Sequence, residues 1–246
     1  MKKPDNVTNN DWKLLNDKYR NLKPVIKKLE EDYPVQYLIG HVEFLDNKIR
    51  VNKSVLIPRF ETETLVQKTV KQITNLKMEE GSVLEIGTGS GCISIALKSE
   101  LPSLEVTAID VSRKALKVAR KNARKNKTKI HFIKKDMYKF KTVNEYDIII
   151  SNPPYIKETD NIDPKTKYEP SLAIYGGKDG MKYYERIFEI AKSSLNKKHL
   201  IALEIDEDSG KELKKLAKEY FPKSNIKVEK DLVGKDRYLF IVNKKV

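Results

Sequence analysis

Between Asn10 and Asp32, Leu14, Leu15, Leu22, Val25, Ile26 and Leu29 recur at helical intervals. The spacing predicts helix, with Pro24 opening a second short segment and Pro34 ending it. From His41 to Val51 the pattern turns to alternation: Val42 and Phe44, then Ile49 and Val51, around Asp46-Asn47. That is the signature of a β-hairpin. Glu61 to Leu76 returns to a helical period.

After Gly81 strands and helices alternate. Strands are predicted at Ser82–Ile86, Glu105–Asp110, Lys129–Ile133, Tyr146–Ser151, His199–Ile205, Lys227–Lys230 and Arg237–Val242. Helices fit between them at Gly91–Ser99, Ser112–Lys125, Gly180–Ser194 and Ser209–Tyr220. Ser112 is a good N-cap, and Leu116, Ala119 and Ala123 give its helix a small apolar stripe. Tyr146 to Ile150 is a continuous apolar run broken only by Asp147, as expected of a central strand covered on both faces. The alternation predicts an α/β fold: a seven-stranded, mostly parallel, doubly wound sheet. Only Asp231–Asp236 separates the last two strands. That is too short for a helical crossover, so the last strand is expected antiparallel.

Composition narrows the class. The chain has 246 residues, 39% hydrophobic and 34% charged, with 10 Gly and 10 Pro, enough to build a sizeable core. A single cysteine, Cys92, excludes an intramolecular disulfide framework and a cysteine-only metal cluster. No apolar run is long enough to span a bilayer, and none follows the charged start Met1-Lys2-Lys3. A cytoplasmic monomer without membrane contact is expected. Lys and Arg number 49 against 35 Asp and Glu, a net charge of +14. Such an excess suits nucleic acid or an acidic partner, but Lys is spread along the whole chain and Arg is sparse. Direct nucleic-acid binding is therefore not predicted from charge.

Four segments can carry chemistry. The first strand of the alternating region runs through Glu85 into Gly87-Thr88-Gly89-Ser90-Gly91 and then a helix. Glycines let a backbone approach a ligand closely, and a helix start presents free N–H groups. The dinucleotide fingerprint would need a third glycine at position 92, where Cys92 stands. Glu85 would repel a pyrophosphate but attract an ammonium group. By itself the segment is equally a tight strand–helix turn. Asp110 ends the next strand, where an acid in an α/β sheet can accept both ribose hydroxyls of an adenosine. The bland alternative is a turn residue. Asp136-Met137 follows the third strand; the acid can accept from an adenine amino group and the thioether can cover the ring. Finally, Asn152-Pro153-Pro154-Tyr155 follows the Tyr146–Ile150 run. Two prolines fix the backbone and leave carbonyls free to accept. Asn152 adds a side-chain acceptor and Tyr155 a ring, a set suited to a planar NH₂ group. A rigid turn alone would need neither.

The combination resembles class I S-adenosylmethionine-dependent methyltransferases that act on amino or amide nitrogen. More closely it resembles the protein-(glutamine-N5) methyltransferases that modify peptide chain release factors. Further matching segments are Pro34-Val35-Gln36-Tyr37-Leu38-Ile39-Gly40, Leu56-Ile57-Pro58-Arg59-Phe60-Glu61-Thr62-Glu63, Tyr168-Glu169-Pro170 and Gly176-Gly177-Lys178-Asp179-Gly180, the last followed by Tyr183 or Tyr184. The asparagine motif is shared with nucleic-acid amino-methyltransferases; the Pro-Arg and Gly-Gly-Lys-Asp-Gly segments are more specific. The resemblance implies a Rossmann-like domain over 61–246, after a short helical segment over 1–33 and a hairpin linker over 34–60. It implies that Gly87, Thr88, Gly89, Ser90 and Gly91, with Glu85, cradle the methionine part of S-adenosyl-L-methionine, later S-adenosyl-L-homocysteine. Asp110 would hold the ribose, and Asp136 and Met137 the adenine. Asn152, Pro153, Pro154 and Tyr155 would hold the glutamine of a Gly-Gly-Gln loop in a class I release factor, with Asn152 also beside the cofactor. Two departures stand out: Phe60 replaces the family's usual Pro, and only about 33 residues precede Pro34, fewer than the family's usual N-terminal domain.

No strong base is expected, because an amide nitrogen sheds its proton readily once methylated. His41, His131 and His199 sit at segment starts or strand edges and are read as structural. No metal-ligand spacing occurs. The competing readings are a DNA or RNA amino-methyltransferase (adenine N6 or cytosine N4), a ribosomal-protein glutamine methyltransferase, and a non-catalytic adenosine-binding scaffold. The first lacks an insertion large enough for target recognition. The last is hard to reconcile with intact Glu85, Gly87, Gly89, Gly91, Asp110 and Asn152.

Overall fold

The chain begins with two helices, α1 (Asn9–Lys18) and α2 (Lys23–Glu30), in a computed structural model that describes residues 2–245. Thr8 caps α1 by accepting from the Asp11 N–H, and Pro24 sits in the first turn of α2, where its missing N–H costs nothing. A five-residue helix, α3 (Val35–Ile39), was not evident in the apolar pattern; it ends on Gly40. Leu15, Val25, Leu29, Leu38 and Ile39 form a small core of their own. The hairpin follows as β1 (His41–Phe44) and β2 (Asn47–Arg50), paired in register around the expected turn.

The main body comprises α4 (Phe60–Leu76), β3 (Ser82–Ile86), α5 (Cys92–Glu100), β4 (Glu105–Asp110), α6 (Arg113–Lys125), β5 (His131–Lys134), β6 (Tyr146–Ser151), α7 (Lys182–Ser194), β7 (Leu195–Glu204), α8 (Gly210–Tyr220), β8 (Asn225–Lys230) and β9 (Asp236–Asn243). Seven strands join in the order β5-β4-β3-β6-β7-β9-β8. The first five are parallel, and β9 runs antiparallel to both β7 and β8. Strand β7 begins earlier than its apolar pattern indicates. Leu195 pairs with Tyr146, then the register shifts before Ile148 meets Leu200, so Lys197 and Lys198 occupy an irregular stretch that does not alternate.

Alternate residues of each strand feed opposite cores, as a period of two requires. Val83, Ile148, Ile150, Leu200 and Ala202 join the core containing α4, α5 and α6, which also takes in Phe44 and Ile49 of the hairpin. Leu84, Ile149, Ile201, Leu203 and Ile241 join the core with α7 and α8. The chain leaves β3 toward β4 and β5, then crosses back so that β6 lies on the other side of β3. The carboxyl ends of β3 and β6 therefore diverge into separate loops, the place where open α/β sheets bind ligands. Charge is less even than composition implied: α6 presents Arg113, Lys114, Lys117, Arg120, Lys121, Arg124 and Lys125 to solvent with no acid on the helix.

The buried side of α6 carries Asn122, which was not singled out in the sequence. Its Oδ1 accepts from the Arg50 N–H at 2.9 Å, and its Nδ2 donates to the Arg50 and Ser90 carbonyls at 3.0 and 2.9 Å. One fully buried side chain thus ties the hairpin and the glycine turn to α6. Asn122→Ala leaves those backbone groups unpaired and is expected to cost about 2–4 kcal/mol of unfolding free energy in urea titration. A loss below about 1 kcal/mol would mean that water replaces these bonds freely.

Candidate active site

A cavity of about 360 Å³ opens where β3 and β6 diverge, a size suited to a small ligand. Its floor is the turn after β3. Gly87 and Gly89 line it with φ of +77° and +54°, and a side-chain carbon on either would project into open space. The absence of side chains is therefore what makes the floor a cradle. Thr88, Ser90 and Gly91 do not line the cavity. The Thr88 hydroxyl turns back to Glu85 at 2.7 Å, the Ser90 carbonyl accepts from Asn122, and Gly91 packs against Ala119.

Glu85 also lies behind the turn, 1% exposed. One carboxylate oxygen accepts from the Thr88 and Ser94 hydroxyls; the other has no protein partner among the described residues. Burial pushes its carboxyl up to about 7, opposed by those hydroxyl bonds. Asp110, at the end of β4, lines the cavity wall. Its Oδ2 accepts from the Gly89 N–H at 2.8 Å and its Oδ1 from the Ser112 N–H at 2.7 Å. A carboxylate has about four lone-pair sites, so each oxygen keeps one for a ligand hydroxyl. Burial raises the Asp110 pKa, and the two N–H bonds oppose that. Asp136 caps the turn that follows, accepting from the Tyr138 N–H at 3.0 Å. Asp136, Met137 and Tyr138 form one side of the cavity, and Tyr138 is tied to α7 through the Lys182 carbonyl at 3.0 Å. Glycine floor, hydroxyl-accepting acid and apolar side wall together fit an adenosine-bearing ligand with a thioether or sulfonium tail.

The second wall is Ser151-Asn152-Pro153-Pro154. The Ser151 hydroxyl donates to the Ile86 carbonyl at 2.7 Å and joins the two strand ends. The Asn152 Nδ2 donates to the Thr62 Oγ1 at 3.0 Å, and that hydroxyl donates to the Glu204 Oε2 at 2.7 Å. When Glu204 is ionised it takes the single Thr62 proton, and Thr62 accepts from the amide NH₂. The Asn152 Oδ1 is thereby left for the cavity. Tyr155 is placed differently: it is absent from the cavity wall, and its hydroxyl donates to the Glu204 Oε1 at 3.2 Å. Burial and the Glu204 charge raise its pKa. Glu204 itself ends β7, is fully buried, and is pushed by burial up to about 7. Thr62 and Glu204 were not recognised in the sequence as site residues. The available signal was the single acid inside the apolar run Leu200-Ile201-Ala202-Leu203-Glu204-Ile205, since a buried charge demands partners.

The remaining motif segments build the walls. A side-chain carbon at Gly176 would stand 2.7 Å from the Pro154 carbonyl oxygen, and one at Gly180 would stand 2.5 Å from that of Tyr155. The glycine segment thus lies directly on the backbone of the asparagine loop, clamped by Ile156 N–H to Ile174 O and Gly176 N–H to Ile156 O. The buried Glu169 accepts from the Ile57 N–H at 2.8 Å and pairs with Arg59, fixing the segment before α4 to the Pro170–Ala173 wall. His199 is buried against the Asn196 carbonyl, remote from the cavity, in keeping with a structural role. Among the described residues no group of His, Cys, Asp and Glu could hold a metal ion, and no helix is long and apolar enough to cross a membrane.

Comparison with known proteins agrees with this architecture. The family described as Methyltransferase small domain matches residues 61–167. A release factor glutamine methyltransferase of Flavobacterium psychrophilum is 39% identical, over 97% of this chain and 86% of that one. Its counterpart from Bacillus anthracis is 38% identical over 87% and 78%. Among solved structures, the protein-(glutamine-N5) methyltransferase (release factor-specific) of Alicyclobacillus acidocaldarius superposes with a TM-score of 0.50 at 23% identity, covering 79% of this chain and 98% of that one. On the strength of identity spanning nearly the whole chain, this protein belongs to the release factor glutamine methyltransferase family.

Proposed function

We propose that this protein transfers a methyl group from S-adenosyl-L-methionine to the side-chain amide nitrogen, N5, of a glutamine in a peptide chain release factor, the glutamine of a Gly-Gly-Gln loop in a class I factor. Family membership supports the activity. The observation that carries the residue assignment is the Asn152 amide, whose NH₂ donates to Thr62 so that its Oδ1 is free, in a cavity wall that Pro153 shares.

Gly87 and Gly89 would hold the methionine tail, Asp110 the ribose, and Asp136, Met137 and Tyr138 would flank the base. When bound, the cofactor supplies an electrophilic methyl group on a positively charged sulfur. An amide nitrogen is a weak nucleophile because its lone pair is delocalised, so this chain must contribute orientation. The Asn152 Oδ1 and the Pro153 carbonyl would accept the two amide hydrogens and fix the direction of the nitrogen. As that nitrogen gains positive charge, both hydrogen bonds strengthen, and stabilisation rises toward the transition state. The prolines keep the acceptors rigid, so little reorganisation is needed.

Incubation with S-adenosylmethionine and a release factor, read by peptide mass spectrometry, is expected to place one methyl group on the loop glutamine. Methylation of RNA or of a ribosomal protein instead would reject the assignment. Asn152→Ala is expected to lower the single-turnover rate by about 10²–10³, by analogy with removal of one oriented oxyanion donor. Its unfolding midpoint should stay near wild type, because Pro153 and Pro154 still set the turn; an unchanged rate would reduce Asn152 to a turn residue. Gly89→Val should abolish S-adenosylhomocysteine binding by filling the cradle. Asp110→Ala should weaken it by about 1.5–3 kcal/mol per lost charge-assisted bond. Calorimetry decides, and full affinity in both variants would move the cofactor elsewhere.

A further inference from the structure

One buried acid, at the end of β7, stands behind the asparagine loop. Glu204 touches no part of the cavity, yet its two oxygens reach two residues of the asparagine motif by different routes. Oε2 takes the Thr62 hydroxyl at 2.7 Å, and Thr62 takes the Asn152 amide at 3.0 Å. Oε1 takes the Tyr155 hydroxyl at 3.2 Å. The parts of this arrangement come from α4, the loop after β6 and the end of β7, brought together from positions 62, 152–155 and 204.

We propose that Glu204, acting through Thr62, is a positioning residue that determines which end of the Asn152 amide faces the cavity, and that its second oxygen holds Tyr155 in the same framework. This rests on the site reading above, in which the Asn152 Oδ1 receives the substrate amide.

An amide side chain is symmetrical in shape, so packing alone barely distinguishes its oxygen from its nitrogen. A carboxylate is acceptor-only. Facing Glu204, the Thr62 hydroxyl has to spend its one proton there and can only accept from Asn152. The amide is then locked with NH₂ toward Thr62. Reversing it would bring the Oδ1 against a hydroxyl oxygen with no proton to share. Protonated Glu204 relaxes the rule: it can donate to Thr62, whose own proton becomes available to the wrong end of Asn152. The direction of the chain therefore follows the charge of Glu204.

The other ionisable groups around Glu204 are Glu61 on α4, Cys92 on α5, Tyr155, Tyr184 on α7, and Arg237 and Tyr238 on β9. The four tyrosine and thiol groups nearest in burial are all raised and stay neutral near pH 7. Glu204, pushed by burial up to about 7, is placed to change charge there.

Thr62→Val keeps the shape and cuts both bonds. It is expected to lower kcat by about 10²-fold through misorientation, with the KM for S-adenosylmethionine little changed; the thermal midpoint falls, because the buried Glu204 Oε2 and the Asn152 NH₂ lose their partner. Thr62→Ser should restore most of the rate. In wild type the side-chain NH₂ resonances of Asn152, followed by ¹⁵N NMR, should shift with a midpoint near pH 7. Glu204→Gln, which cannot ionise, should lose that shift together with the matching step in kcat. A Thr62→Val enzyme with wild-type kcat, or Asn152 resonances indifferent to Thr62→Val and to pH, would overturn the proposal. The NMR measurement needs no methyl acceptor, so failure to methylate a release factor defeats the substrate reading alone.

Discussion

Parallel pairing of β3 with β6 is the constraint on which the site depends. Val83, Leu84 and Glu85 pair with Ile148, Ile149 and Ile150, so the two strands reach the sheet edge together. Beyond that edge their chains must part, since β3 leads toward β4 and β6 leads toward the other half of the sheet. The gap cannot close without breaking the ladder. The Ser151–Ile86 hydrogen bond fixes its width at the base. A glycine turn on one side and a proline-stiffened loop on the other then face each other across a distance set by backbone pairing. Loops placed by a rigid sheet achieve a precision that loops alone do not.

Three buried glutamates turn that frame into a shaped cavity, each by collecting donors. Glu85 holds Thr88 and Ser94 behind the glycine turn; Glu169 holds the Ile57 N–H and Arg59 at the far wall; Glu204 holds Thr62 and Tyr155 behind the asparagine loop. Of the three, Glu169 alone has a cation, Arg59, as direct partner. Glu85 and Glu204 are stabilised by neutral hydroxyls, which explains why burial raises both toward neutrality. Buried acids paired in this way add little net stability. What they add is direction: each hydroxyl facing a carboxylate has its proton committed, and the next group in line must respond.

Local patterns exposed the sheet and the glycine and asparagine loops because those features are contiguous in sequence. The Tyr146–Ile150 run, the Ser112 cap and the short β8–β9 connection each contain their own instruction. Site elements formed by long-range pairing were not legible. Thr62 and Glu204 are 142 positions apart, Arg59 and Glu169 are 110 apart, and Arg50 and Asn122 are 72 apart. A polar residue in an apolar run announces that it has a partner but not which one. The glycine motif was read as a single cradle, whereas in the fold only Gly87 and Gly89 floor the cavity. Thr88, Ser90 and Gly91 face inward to support them. Side-chain direction within a turn depends on φ and ψ, which spacing does not encode. The same holds for Tyr155, whose ring lies against the core rather than on the cavity wall.

The N-terminal segment is joined to the site by a chain of contacts. Tyr33 meets Tyr168 edge-on at 4.9 Å, and the Tyr168 hydroxyl donates to the Glu31 carbonyl at 2.7 Å. Tyr168 directly precedes Glu169, which holds Ile57 and Arg59, and Pro170, Leu172 and Ala173 then form the cavity wall. Tyr37 reaches the same region through the Val55 carbonyl at 2.7 Å, beside Ser54, Val55 and Leu56 of the cavity lining. Helix α2, the hairpin linker and the wall over the cavity are thus one hydrogen-bonded assembly. Leu172, half exposed at the cavity mouth, and Phe60, exposed at the start of α4, sit on the two segments that Glu169 ties together. A protein substrate entering the mouth would meet surfaces whose relative position is set from the N-terminal helices. The segment therefore shapes the entrance by bracing it, whatever further contact it makes with the substrate.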